Sequence, residues 1–244
     1  MQSRARKVEA SESRRAIMAT VEALVDALGR ALGPDVEVVL HDLERLPNSV
    51  VALSNPLTGR TVGDPPTDLL LRDVREGRFQ DRYRYEARSA GGRLLRSSTL
   101  FVRDVNGLPI ATLCLNQDVT ELVRVRDRLD RELGAADAGA DTRGEAPPAV
   151  TVPGPADGAA SPESFAHGVA QLAEVLIAQA IEAVAVPVDL MKKQHKMMVV
   201  RELERRGFFL IREAVEDAAA ALEVTRYTIY NYLNEIEAER ATPK

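Results

Sequence analysis

The stretch RLLRSSTLFVRDVNGLPIATLCLNQDV, residues 93–119, reads as two strands around an Asn106-Gly107 turn. Apolar and polar residues alternate on both sides of it, the period of a half-buried strand. Asn-Gly between such runs signals a two-residue hairpin, because both central residues must accept positive φ. Upstream, RYRYEARSA (82–90) followed by Gly91-Gly92 adds a third strand to an antiparallel meander. Further back, VEVVLHDL (36–43) and NSVVALSN (48–55), separated by ERLP, read as two more strands. Between the two groups lie the loop GRTVGDPPTD (59–68) and a short helix around Asp68–Gly77.

The residues before this sheet are helical. Ile17, Val21, Leu24, Leu28 and Leu32 recur at three- and four-residue steps, and Gly33-Pro34 should stop the helix. The order helix, two strands, helical insert, three strands suits a PAS-like domain. After the sheet, Asp118-x-x-Glu121 is a capping-box pattern, and Leu122, Val125, Leu129 and Leu133 supply a helical stripe. That helix either packs on its own domain or dimerises.

Residues 134–163 hold 19 Ala, Gly or Pro among 30 and only two Val. Such a stretch cannot bury enough apolar surface to offset its ordering entropy, so a flexible linker is predicted. Phe165, Val169, Leu172 and Leu176 then form an amphipathic helix that Pro187 ends. The predicted organisation is a helix over 1–33, a sensor over 34–133 and the linker over 134–163. A connecting helix over 164–188 and a helical domain over 189–240 follow. The fold class is α+β: a PAS-like antiparallel-sheet sensor plus a small all-α helix-turn-helix domain.

Composition bounds the function. No run of 18 apolar residues occurs and the start is polar and basic, so a cytoplasmic protein without membrane contact is expected. The single cysteine, Cys114, can close no intrachain disulfide and is expected as a small core residue. The net charge of −5 hides a local bias: Asp189–Glu213 holds seven Lys/Arg against four acids.

The segment MKKQHKMMVVRELERRGFFLIREAVEDAAAALEVTRYTIYNYLNEIE (191–237) carries the functional reading. Helices are predicted over about 190–206, ending at Gly207, over 212–222, and after Thr225, a good N-cap. Ala218, Ala219 and Leu222 give the small-small-large face that a helix-turn-helix crossing requires, and Val224 plugs the turn. Ile229, Tyr232 and Leu233 should face inward. Arg226, Tyr227, Tyr230 and Asn231 should face outward, with Thr225 and Thr228 beside them. Arg pairs with guanine, Asn with adenine, and Tyr or Thr hydroxyls with phosphate, the inventory of major-groove readout. Lys192 and Lys193 are the expected phosphate contacts. Glu223 occupies the turn site where Gly is commonest, which predicts left-handed strain of about 1 kcal/mol.

Several of these segments, LGPDVEVVLHDLE, NPLTGRTVGDPPTD, RSSTLFVRDVNGLPIATLCLNQDVTE, RELERRGFF and VTRYTIYNYL, resemble bacterial regulators of the YheO and DauR type. The resemblance covers nearly everything but the linker. It implies a YheO-like PAS domain joined to a C-terminal helix-turn-helix, transcriptional control, and in one relative repression of an amino-acid catabolism operon. The partners expected are double-stranded operator DNA, a small-molecule effector related to amino acids, and a second copy of the chain.

Polar residues on otherwise apolar strands are the ligand candidates in the sensor: His41, Ser54, Asn55, Ser97, Asn116 and Asp118. Each has a structural alternative: Asp118 as a helix cap, Asn55 as the shaper of the turn before Pro56, His41 satisfied at a strand end. One such histidine is too little for haem, and three in the chain too few for a metal hydrolase, so no cofactor or metal is expected. GxSxG, GxGxxG and GxxxxGK[ST] are absent, so no enzyme is expected. The alternative function is a protein-interaction adaptor that binds no DNA.

Overall fold

The computed structural model of the chain describes residues 2–133 and 165–241, so the predicted linker lies outside the described residues. The first unit is built from α1 (Gln2–Leu32), β1 (Val36–Asp42), β2 (Val50–Ser54), α2 (Asp68–Glu76), β3 (Arg82–Arg88), β4 (Leu94–Arg103), β5 (Pro109–Asp118) and α3 (Thr120–Glu132). The second contains α4 (Val169–Val184), α5 (Lys193–Arg205), α6 (Ala214–Ala221) and α7 (Arg226–Ala241). The five strands form one antiparallel sheet in the order β2-β1-β5-β4-β3, so the fold is α+β with the predicted element order.

The strand alternation gives the sheet two unlike faces. Val38 and Leu40 meet Met18 and Val25 of α1 on the apolar face, with Leu113 and Leu115 beside them. Gly33, at φ 88, ends α1 as expected, although Leu24 and Leu32 of the predicted stripe stay exposed. The other face carries Glu37, His41, Ser97, Thr99, Thr112 and Asn116, all buried. In α2, the Thr67 hydroxyl accepts from the Leu70 amide and Gly77, at φ 67, closes the C-terminus.

Two local expectations fail. The Asn106-Gly107 turn is not a two-residue loop: Asp104 N–H donates to Leu108 O, and only Gly107 has positive φ. The Asp104 carboxylate accepts the amides of Asn106 and Leu108, which stabilises a wider turn. At α3 the capping box is absent, because Asp118 accepts from the Thr120 amide while Glu121 pairs with Arg124. Cys114, expected as a small core residue, is half-buried on the polar face beside Thr99.

The helical unit has its own core, in which Leu172, Leu176, Val199, Val200, Leu203, Phe208, Leu222, Ile229 and Ile236 are fully buried. Leu71 of α2 joins this core, and Gly207 approaches so closely that a Cβ there would meet the Leu71 carbonyl at 2.8 Å. Arg75 of α2 pairs with Glu204 of α5 across the same contact. The insert helix of the sheet unit is thus packed directly on the helical unit.

Candidate nucleic-acid interface and sensor site

The C-terminal end of the helical unit is positioned by a small-residue crossing. Ala218 and Ala219 are buried on α6, which lets α7 approach closely, and Leu222 fills the end of the crossing. The connecting turn keeps Glu223 at φ 51, the left-handed residue expected there. Val224 packs against the core, and its amide donates to the Ala219 carbonyl. The Thr225 hydroxyl accepts from the Thr228 amide at 3.2 Å, capping α7 as predicted.

With Ile229, Tyr232 and Ile236 buried, α7 has one committed face. Arg226, Tyr227, Tyr230 and Asn231 stand on the other, exposed, and Tyr227 keeps 74% of its surface. Thr225 is exposed and Thr228 half-buried, their hydroxyls 2.9 Å apart. Lys192 and Lys193 are exposed at the start of α5. Two of these cations have acidic neighbours: Arg226 bonds Glu216 at 2.8 Å and Lys193 bonds Glu235 at 2.9 Å. Both pairs are exposed, so an incoming anion or hydrogen-bond acceptor would displace the acidic partner at small cost.

The candidate sensor site lies on the polar face of the sheet. Strand register sets Glu37, Asn116, Ser97 and Tyr85 side by side in one row, and His41, Thr112 and Phe101 in another. The Glu37 carboxylate, fully buried, accepts from Thr58 Oγ1 at 2.7 Å, Thr58 N at 3.3 Å, Asn116 Nδ2 at 2.8 Å and Arg60 Nη2 at 3.2 Å. Ser97 Oγ donates to Asn116 Oδ1 at 2.8 Å. Arg60, 2% exposed, also reaches Thr58 through Nε. The Thr112 hydroxyl is buried without a hydrogen-bond partner.

His41 shares a 2.9 Å hydrogen bond with Ser49. Burial first, and then the charge of Arg60, hold its pKa well below the ordinary 6.5. The folded ring stays neutral where the unfolded one takes a proton, so its contribution is complete above about pH 6.5 and falls as pH drops below it. Urea unfolding of wild type should lose up to about 1.4 kcal/mol per pH unit in that window from this residue. His41→Gln should flatten the slope; an unchanged slope would show that His41 does not set it.

Of the sequence candidates, His41, Ser97 and Asn116 meet on the polar face. Ser54 and Asn55 do not: Ser54 stands against Gly29 of α1, and Asn55 Nδ2 donates to the carbonyls of Gly29, Gly33 and Val36, tying α1 to β1. Asp118 lies at the sheet end, bonded to Thr120 and Arg93, beside a groove of about 520 Å³ at the foot of α3. Sequence reading missed Glu37, Thr58, Arg60 and Phe165. A charged residue inside VEVVLHDL was the available signal for Glu37. Phe165 was expected as the first residue of a helical stripe, but α4 starts at Val169 and Phe165 packs on the sheet instead.

Comparison with known proteins gives this arrangement a family. The description of the YheO-like PAS domain matches residues 11–133, and that of a helix-turn-helix domain matches 172–234. The chain belongs to the YheO-like PAS family. An uncharacterized protein of Haemophilus influenzae is 27% identical over 92% of this chain and 93% of its own length. The uncharacterized protein YheO of Escherichia coli K12 is 26% identical over 91% of this chain and 85% of its own. The transcriptional regulator DauR of Pseudomonas aeruginosa is 28% identical over 88% of this chain and 92% of its own. As a YheO/DauR-type chain it joins a PAS domain to a helix-turn-helix domain, and among its described residues no helix is long and apolar enough to cross a membrane.

Proposed function

We propose that this YheO-like chain is a transcriptional regulator that binds operator DNA through α7 and adjusts that binding when its PAS domain takes up a small molecule related to amino acids. The observation that carries the reading is the N-terminal half of α7. Its inner face is locked by a small-residue crossing, while Arg226, Tyr227, Tyr230 and Asn231 project free of the core. An ordinary surface helix has no use for that set of side chains, and a major groove does. The sensor half rests on the polar sheet face around Glu37, Asn116 and Ser97, and on the direct packing of α2 against α5.

A homodimer fits the same scheme. No residue of α3 is buried, and Leu122, Val125, Leu129 and Leu133 are each more than half exposed. A lone helix of this length is marginal in water, so α3 calls for a partner. In a parallel pair, Leu122, Val125 and Leu129 take a, d and a positions, and Glu121 meets Arg126 of the other copy. Two recognition helices would then enter successive major grooves about 34 Å apart.

Arg226→Ala should cost about 1–3 kcal/mol on a selected operator and little on random duplex, whereas Lys192→Ala should weaken both alike. Equal losses on both DNAs for Arg226→Ala would remove base reading from the account. Affinity should also fall log-linearly with salt; a salt-insensitive interaction would favour the protein-interaction adaptor.

A further inference from the structure

The residues that lead into α4 belong to both cores. Phe165, 4% exposed, packs on Ala87, Leu95 and Tyr85 of the sensor sheet, while its neighbour Ala166 is buried in the helical core. The Arg60 guanidinium lies over the Phe165 ring, 5.1 Å from its centroid. His167 follows so close to the sensor loop that a Cβ on Gly59 would meet its ring at 2.9 Å.

Among the described residues, the walls of this seat given by Arg60, Ala87, Leu95 and Tyr85 belong to the sensor unit. The edges of the Arg60 guanidinium are held by Glu37 and Thr58, which leaves its flat face for a ring. Ala87 and Leu95 supply an apolar wall, and the Tyr85 hydroxyl is hydrogen-bonded to Thr99 at 3.0 Å. The occupant, however, comes from the segment joined to the DNA-binding unit. The sensor thus holds a ring-shaped place, lined by a charged residue that is almost fully buried, which it does not fill from its own strands.

We propose that the Phe165 seat is a ligand position for a small flat aromatic ring, and that Phe165 is a tethered occupant which such a ring displaces. Displacement frees residues 165–168 from the sheet and loosens the hold of the sensor on α4. The inference rests on the sensor reading above and specifies its regulation. Because the tethered ring is always near its seat, it competes at high effective concentration, and a free ring binds wild type weakly.

The test is calorimetric titration of the full-length protein with indole. In Phe165→Ala the ring's place is vacant, with the flat Arg60 face and the Ala87 and Leu95 side chains still lining it, so indole should bind about tenfold tighter than to wild type, or better, and raise the melting temperature of the variant only. A folded Phe165→Ala that binds indole no better than wild type overturns the proposal. Should that variant not fold, Phe165→Trp gives a chain with a single tryptophan, since the wild type has none. Its emission should be shielded from acrylamide, and benzyl alcohol should increase the quenching; a tryptophan quenched as freely as the free amino acid overturns the seat. Wild-type binding to random duplex, measured in parallel, reports on the DNA reading independently. Its absence sinks that reading and leaves the indole result to decide the seat.

Discussion

Arg60→Met should lower the stability of the protein by about 3–5 kcal/mol, because it leaves the Glu37 carboxylate buried without its counter-charge. Thr58 and Asn116 would still donate to Glu37, but they supply no positive charge. The paired variant Arg60→Met with Glu37→Gln should recover much of the loss, since a neutral amide keeps hydrogen-bonding capacity without an unpaired charge. Urea denaturation of the three proteins gives the comparison. A loss below about 1 kcal/mol for Arg60→Met would mean that the pair is solvated, contrary to its burial.

Leu222→Ala should cost about 2–5 kcal/mol, the range for truncating a fully buried leucine whose site cannot collapse. The site is held on several sides: Ala218 and Ala219 lie on the preceding turn, Ile229 belongs to the same core, and Lys196 Nζ donates to the Leu222 carbonyl at 2.7 Å. The damage falls at the α6–α7 crossing, so DNA binding should be lost at temperatures where the sensor sheet remains protected. Hydrogen exchange of residues 94–118 against α7 would show it. Equal loss of protection in both would mean that the two units unfold as one, through the Leu71–Gly207 contact.

Much of this architecture was legible because it depends on local rules. Alternation marked the strands, the 3.6-residue stripe marked α1, and the Ala218-Ala219-Leu222 face with the Thr225 cap marked the helix-turn-helix. The misreadings arose where side chains compete with backbone propensity. Asp104 captured two amides and widened the Asn-Gly turn, while Asp118 took the Thr120 amide and Arg93, and Glu121 turned to Arg124 instead of reaching back. The sensor site was less legible for a different reason. Its members come from β1, the 55–67 loop, β3, β4, β5 and the segment before α4, and only strand register brings Glu37 opposite Asn116 and Asn116 opposite Ser97. Phe165 fits a helical spacing in sequence, and nothing local says that it leaves the helix to pack on β3 and β4, built from residues 82–103.

Whether α7 reads DNA sequence is decided by selection of bound fragments from sheared genomic DNA at physiological salt, by wild type and by the Arg226→Ala, Asn231→Ala double variant. Wild type alone should enrich a palindromic site, with half-sites about one helical turn apart. Enrichment of the same site by the double variant, or no enrichment by wild type with or without added small molecules, would contradict sequence reading by α7.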